Sequence, residues 1–452
     1  MREPLRAPLS PGRWPGTPGG VSVPATACGV SAPPWDLLLV CVAVYVATAV
    51  GRVNALFPVL LPLRPLLVAA VLAVALYMLQ QSGVRRVDRL RSPTTACLLA
   101  LLLWTALSVP GALNQGVAFQ ALTDHVAKSV IMCLVLAGSV RSVRDVERLS
   151  LVYFGVTVVY AAVMLERFRL EADWRRSHLE TYDANDVATL IASAMPLGLY
   201  FVLGWRRPLL RLLAVVGLVV LAVGEVRSGS RGGFLAVLAV AAFVLLRFTA
   251  VPARARLVGV VVILAVSLGT ASERYWTQMR TIANPDQDYN ATSQTGRLQT
   301  WRRGLAYMAS HPVLGVGAAN FPVAEGTISP RARGQERGYG VPWLAAHNSF
   351  IQVGAELGIP GLLLFVGLLA STFALLRRVS RRALRASPPA TGVSRLAQSL
   401  MAALVGFVVG AFFLSLAYSD MLYTLVALAV ALGKVVPPDP SRSRQVPRLA
   451  RA

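Results

Sequence analysis

Twelve apolar runs follow one another along this chain, and each is close to the length that a helix needs to cross a bilayer. Only 14% of the residues are charged and 55% are hydrophobic, whereas a soluble protein carries about 25% charged residues. We therefore predict an all-α polytopic membrane protein with about 12 transmembrane helices. The runs lie at residues 36–51, 63–80, 94–110, 124–140, 149–166, 185–204, 209–226, 232–247, 256–271, 357–376, 397–417 and 421–436.

The net charge of +23 is distributed in a way that argues against a nucleic-acid partner. Basic residues cluster at every second connection between the runs, which is the positive-inside pattern of membrane proteins. This pattern predicts that both termini are cytoplasmic and that one large extracytoplasmic loop lies between helices 9 and 10. The clusters are Arg85, Arg86, Arg89, Arg91; Arg141, Arg144, Arg148; Arg206, Arg207, Arg211; Arg247, Arg254, Arg256; and Arg377, Arg378, Arg381, Arg382, Arg385, Arg395.

The chain is predicted to divide into five parts. Tails rich in proline, glycine or arginine are expected to be disordered on the cytoplasmic side. The scattered cysteines show no metal-ligand spacing, so neither a metal nor a cofactor is predicted. The parts are tail 1–35, helices 1–9 in 36–271, the loop 272–356 with the catalytic motifs, helices 10–12 in 357–436, and tail 437–452.

A helix is predicted within the large loop, beginning near Gly296 with Ser293 or Thr295 as its N-cap. It should end before Pro312, because a proline excludes the preceding His311 from the helical region. Apolar residues recur at helical spacing, so one face of this helix should be apolar, made of Leu298, Trp301, Leu305 and Met308.

A second helix is predicted after His347. Polar residues recur there at four-residue spacing and should form one stripe: Asn348, Gln352 and Glu356. Gly358, Pro360 and Gly361 should then break the chain where it enters the tenth membrane helix. Residues 323–342 carry several arginines and Tyr339, and they could form either a lid over a substrate or a solvated loop.

Two further clusters contain ionisable residues near the predicted outer edge of the membrane. Arg227 and Arg231 lie in the turn VRSGSRGG, and a guanidinium group matches the oxygens of a phosphate. Asp124, His125 and Lys128 could line a cavity for a lipid phosphate, or Asp124 and Lys128 could simply pair with each other. Surface positions are expected for His178, Glu180 and Asp183.

Five segments, in this order, resemble the bacterial O-antigen ligase and O-antigen polymerase family. They are YDANDVATLIASAMPLGLY, SGSRGG, TGRLQTW, SHPVLGVGAANF and AAHNSFIQVGAELGIPG. The resemblance is detailed over residues 180–376 and extends to the flanking helices only in topology. The family transfers a glycan from undecaprenyl diphosphate to an acceptor hydroxyl on the outer face of the bacterial cytoplasmic membrane.

The resemblance implies that Arg231, Arg297 and His347 are catalytic. Two arginines suit the charge of a departing diphosphate without a metal, and a histidine suits a general base. An inverting displacement with no cofactor is expected, with a glycolipid or glycan acceptor and the bilayer as the other partners. Residues implied to bind the diphosphate or glycan are Arg227, Trp301, Asn348, Lys128, His125 and His311.

Alternative functions stay open at this point. A ligase and a polymerase share these motifs and differ in the acceptor, which is lipid A-core in one case and a growing glycan in the other. A polysaccharide transporter or flippase would tend to show broken helices and ionisable groups near mid-membrane. A scaffold for envelope assembly predicts that His347 is dispensable.

Overall fold

The computed structural model describes residues 33–81, 83–170, 182–284, 288, 292–338 and 340–436, and the regular elements in these ranges are helices. The predicted tails, apart from residues 33–35, lie outside the described residues, as do His178, Glu180 and Tyr339. The predicted all-α membrane fold is confirmed.

The described part of the first half of the chain contains nine α-helices, which are labelled in chain order. One continuous rod runs from α5 into α6 through a π-helical turn, Leu122–Ala127. The helices are α1 (Leu37–Ala49), α2 (Val53–Leu56), α3 (Pro65–Leu79), α4 (Pro93–Ser108), α5 (Gln115–Ala121), α6 (Lys128–Ser139), α7 (Val143–Leu170), α8 (Ala184–Gly204) and α9 (Pro208–Ser228).

The second half contains a further nine described helices. Four of them, α12 to α15, lie in the stretch predicted as the large loop. The helices are α10 (Arg231–Arg247), α11 (Ala253–Thr270), α12 (Glu273–Arg280), α13 (Arg297–Ser310), α14 (Phe321–Thr327), α15 (Ala332–Glu336), α16 (Ser349–Arg385), α17 (Thr391–Ala411) and α18 (Asp420–Val435).

Each of the twelve predicted membrane runs coincides with one of these helices. Within the described residues, nine helical spans are long and apolar enough to cross a membrane. The other three runs correspond to α1, α10 and α18, which have 13, 17 and 16 residues. A helix rises 1.5 Å per residue, so these three are shorter than the hydrocarbon thickness.

The predicted break at Gly358 is confirmed and has a specific construction. Gly358 has φ 70° and ψ −173°, a conformation that is essentially restricted to glycine, and it kinks α16 after Leu357. The carbonyl groups freed at the kink accept new donors. Val316 N donates to Ala355 O at 2.9 Å, Gly317 N donates to Glu356 O at 2.9 Å, and the Trp104 indole donates to Leu357 O at 2.9 Å.

The predicted helix in the large loop is also confirmed, with corrections to its details. Its N-cap is Gly296 rather than Ser293 or Thr295, because those two hydroxyl groups hydrogen-bond to each other at 2.9 Å. It ends at Ser310, and His311 leaves the helical region with φ −126° and ψ 63°.

The apolar face of α13 is not its packed face. Leu298 and Leu305 are 44% and 50% exposed, whereas the buried residues of α13 are Thr300, Gly304 and Tyr307. Gly304 permits the close approach, since a Cβ atom there would lie 2.4 Å from the Ile351 side chain. Apolar spacing alone therefore does not identify the packed face of this helix.

Candidate active site

His347 lies immediately before α16 and has a left-handed backbone conformation, with φ 48°. Such a conformation is uncommon outside glycine and persists only where the surroundings enforce it. Its neighbours are held on both sides. The Trp301 indole donates to Ala346 O at 3.1 Å, and Asn348 Oδ1 accepts the amides of Phe350 and Ile351 at 2.9 and 3.1 Å.

The His347 imidazole lies in the electrostatic field of Arg297. Burial lowers the pKa of His347 below its usual 6.5, and the positive charge of Arg297 lowers it further, whereas Asp183 opposes the shift. A lowered pKa keeps the imidazole neutral and able to accept a proton near pH 7. The structure therefore brings together two of the three residues predicted to be catalytic.

Arg231 is the first residue of α10, next to the Ser230 N-cap. Its guanidinium group is about one-fifth exposed and bonds two oxygens of the loop, the Asp288 carboxylate at 2.7 Å and the Thr281 hydroxyl at 2.6 Å. A guanidinium that already binds a carboxylate is placed to bind another oxyanion, because phosphate and carboxylate present similar acceptors.

An aromatic cluster connects the start of α10 to His347. Gly232 lies against Phe413, since a Cβ atom at Gly232 would lie 3.2 Å from Cβ of Phe413. The Phe413 ring is 6.4 Å from the Trp301 ring, centroid to centroid, and Phe412 packs edge-on to Trp301 at 5.6 Å. Trp301 in turn bonds the carbonyl before His347.

A second connection runs through the start of α8. The Ser230 hydroxyl donates to the Asn185 side chain at 2.8 Å. Asp183 is the N-cap of α8 and accepts the amides of Asn185 and Asp186, and its charge acts on His347. One chain of contacts and one electrostatic interaction therefore connect the turn that carries Arg231 to the segment that carries His347.

The polar stripe predicted on α16 exists and is buried. Asn348 and Glu356 are each 1% exposed, and Gln352 is 8% exposed. Glu356 accepts the Tyr418 hydroxyl at 2.9 Å and the Phe321 amide at 3.4 Å. Through these bonds Glu356 ties α16, the helix that follows His347, to its neighbours.

A buried ion pair holds α13 against α14. Arg303 donates from Nε and Nη2 to the Glu325 carboxylate at 2.7 to 3.0 Å, and the Tyr307 hydroxyl donates to the same carboxylate at 2.8 Å. The Glu325 side chain is 1% exposed. A two-pronged pair of this kind fixes orientation as well as distance, and it sets the direction of the helix that carries Arg297.

The residues predicted to bind substrate fall into three groups. Trp301 and Asn348 adjoin His347 as described, and Asn348 acts as the N-cap of α16. His311 ends α13, where its Nδ1 lies 3.0 Å from the Ser310 hydroxyl, and Arg227 is exposed in the last turn of α9. Lys128 pairs with Asp124 at 3.3 Å, as one of the two interpretations predicted, and His125 is exposed in the π-helical turn.

Sequence reasoning missed several neighbours of this site. Asp183 was expected on the surface, although it is the second residue of one of the segments that resemble the family. Thr281 and Asp288 carried no signal, because nothing local marks a residue that will meet Arg231. Phe412 and Ser415 lie far along the chain and are joined to the site only by tertiary packing.

These observations define the class of the protein, a polytopic all-α membrane protein, in which a histidine and two arginines form the candidate site. The family model described as O-antigen ligase matches residues 216–366. That segment contains Arg231, Arg297 and His347, and over it the chain is similar to the O-antigen ligase and polymerase family. No curated protein matches the chain.

Proposed function

We propose that this protein transfers a glycan from undecaprenyl diphosphate to an acceptor hydroxyl on the outer face of the bacterial cytoplasmic membrane. The observation that carries the proposal is the placement of His347 in the same cluster of contacts as the helix of Arg297 and the turn of Arg231. The family match supports a transferase in preference to a transporter or flippase, or a scaffold.

In the proposed reaction the acceptor oxygen attacks the anomeric carbon of the glycan. The bond from that carbon to the diphosphate oxygen breaks, and the diphosphate leaves with the electron pair on the opposite face, so the configuration inverts. The acceptor proton passes to the His347 imidazole. A lowered pKa suits this role, since the imidazole is already unprotonated at neutral pH.

Arg231 and Arg297 would stabilise the negative charge that develops on the leaving diphosphate. The Asp288 carboxylate binds the Arg231 guanidinium group in the structure, and the phosphate oxygens would replace it. Two guanidinium groups can bind a diphosphate and balance its charge, so the proposed reaction needs no metal.

The positive charges at alternate connections support the outer-face assignment, because they predict that the large loop faces away from the cytoplasm. The donor is built on a lipid, so a site at the end of a helix bundle can meet the diphosphate at the membrane surface while the polyprenyl chain stays in the bilayer.

The test is a transfer assay with the purified protein in lipid vesicles and a defined undecaprenyl-diphosphate glycan. Lipid A-core, a growing glycan and a peptide are offered separately as acceptors, which distinguishes a ligase from a polymerase. His347→Ala should lower kcat by about 100-fold or more, and Arg231→Ala and Arg297→Ala by a similar factor.

Arg302→Ala is the matched control, because Arg302 lies on the same helix as Arg297 and is exposed. It should transfer glycan at the wild-type rate. Wild-type transfer by all three site variants would refute the assignment of the site, and the absence of transfer to any acceptor by the wild-type protein would refute the activity.

A further inference from the structure

The turn that joins α17 to α18 lies outside the segment matched by the family model, yet it contacts a neighbour of Arg231, the helix of Arg297 and the backbone of His347. Residues 412–416, here called the 412–416 turn, follow the last residue of α17. Phe413 packs on Gly232, beside Arg231. Phe412 and Phe413 pack on Trp301, one helical turn after Arg297.

The same turn bonds the backbone at His347. The His347 amide donates to the Ser415 hydroxyl at 2.9 Å. Two residues further on, the Ser349 hydroxyl donates to Leu414 O at 2.8 Å and accepts the Leu416 amide at 2.8 Å. These three bonds dock the start of α16 onto the turn.

The bond from His347 is the informative one. Its left-handed backbone costs roughly 1–3 kcal/mol unless neighbouring contacts enforce it. Asn348 caps the helix after His347 and Trp301 holds the carbonyl before it, but Ser415 is the side chain that receives the amide of His347 itself. The strained residue and the residue predicted to be the base are the same residue.

We propose that Ser415 is a positioning residue: its hydroxyl group fixes the His347 backbone so that the imidazole stays in the site with Arg297. The proposal rests on the proposed function for its kinetic consequence, but the placement of His347 can be measured without that function. Ser415 does not itself contact the reacting atoms.

Three variants separate this role from a general effect on folding. Ser415→Ala removes the acceptor, and Ser415→Thr restores a hydroxyl group. Ser371→Ala is the matched control, because Ser371 is also half-buried and its hydroxyl bonds only within α16, to Leu368 O at 3.0 Å. Melting temperatures in detergent establish that each variant is folded.

The first readout is glycan transfer. Ser415→Ala should lower kcat about tenfold, the effect of roughly one lost hydrogen bond on the geometry of the base, and leave the KM for the lipid-linked donor unchanged within about twofold. Ser415→Thr should regain most of the loss, and Ser371→Ala should match the wild type.

The second readout is the pH-dependent modification of His347 by diethyl pyrocarbonate, which reacts with neutral imidazole, mapped by mass spectrometry. Ser415→Ala should react faster at His347 and show an apparent pKa closer to the usual 6.5. The exposed His125 serves as the internal reference.

An unchanged reaction of His347 in Ser415→Ala, or wild-type kcat in that variant while His347→Ala is impaired, would overturn the proposal. A failure of the proposed function is a different result, since His347→Ala would then transfer glycan at the wild-type rate while the modification of His347 still depended on Ser415.

Discussion

Gly358 offers the sharpest test of how the site is built, because its backbone conformation and its surroundings both exclude a side chain. A Cβ atom at Gly358 would lie 2.3 Å from the carbonyl oxygen of Val313 and 2.7 Å from that of Pro312. Those atoms belong to backbone, so they move only if the segment moves.

The cost of Gly358→Ala has two parts. A non-glycine residue at φ 70° and ψ −173° costs about 1–3 kcal/mol, and crowding against fixed backbone costs about 1–3 kcal/mol more. The free energy of unfolding should therefore fall by about 4 kcal/mol. The bond from Ile359 N to Pro312 O at 2.8 Å should be lost as the segment is displaced.

Gly367→Ala on the same helix is the matched control. A Cβ atom there meets only the Cys97 sulfur, at an ordinary 3.5 Å, and alanine favours a helix by about 1 kcal/mol over glycine. Thermal unfolding in detergent and glycan transfer should both drop in Gly358→Ala and stay level or improve in Gly367→Ala. Equal melting temperatures and equal transfer in the two variants would refute this reasoning.

Three further predictions follow from the charges around the site. Neutral His347 is the proposed base, and the positive charge of Arg297 is one of the causes that lower the His347 pKa. Arg297→Met should therefore move the acidic limb of the profile of kcat against pH to higher pH. An unmoved limb, measured from about pH 4 to 8, would contradict this. Arg303→Met should lower the free energy of unfolding by about 3–5 kcal/mol, because it leaves the Glu325 carboxylate buried without its charge partner, and the added change Glu325→Leu should recover part of that loss in a melting experiment. Glu225→Met should raise the free energy of unfolding by about 1–3 kcal/mol, and with it the melting temperature, because neither carboxyl oxygen of Glu225 has a hydrogen-bond partner among the described residues. A lower melting temperature would show that the carboxyl group has a stabilising role.

The membrane helices could be predicted from the sequence because a bilayer imposes a length and a composition on every crossing segment. The stripe of Asn348, Gln352 and Glu356 and the break at Gly358 could also be predicted, since helical spacing and glycine conformation are local properties. The helical position of Arg297 followed from the same kind of signal.

Contacts between distant segments could not be predicted in this way. The bond from His347 to Ser415 joins residues 68 positions apart, and the pair of Arg303 with Glu325 depends on how α14 returns to α13. The packed face of α13 could not be predicted for a related reason. Leu298 and Leu305 are exposed, and a small residue, Gly304, decided which face could pack closely.

The central claim is that the arginines hold the donor while His347 performs the proton transfer, and a single-turnover experiment tests it most directly. Donor is bound first to wild-type protein or to His347→Ala, acceptor is then added, and the rate of product formation is followed. We expect His347→Ala to bind donor as the wild type does and to transfer the glycan at least about 100-fold more slowly. Transfer at the wild-type rate by His347→Ala would contradict the claim.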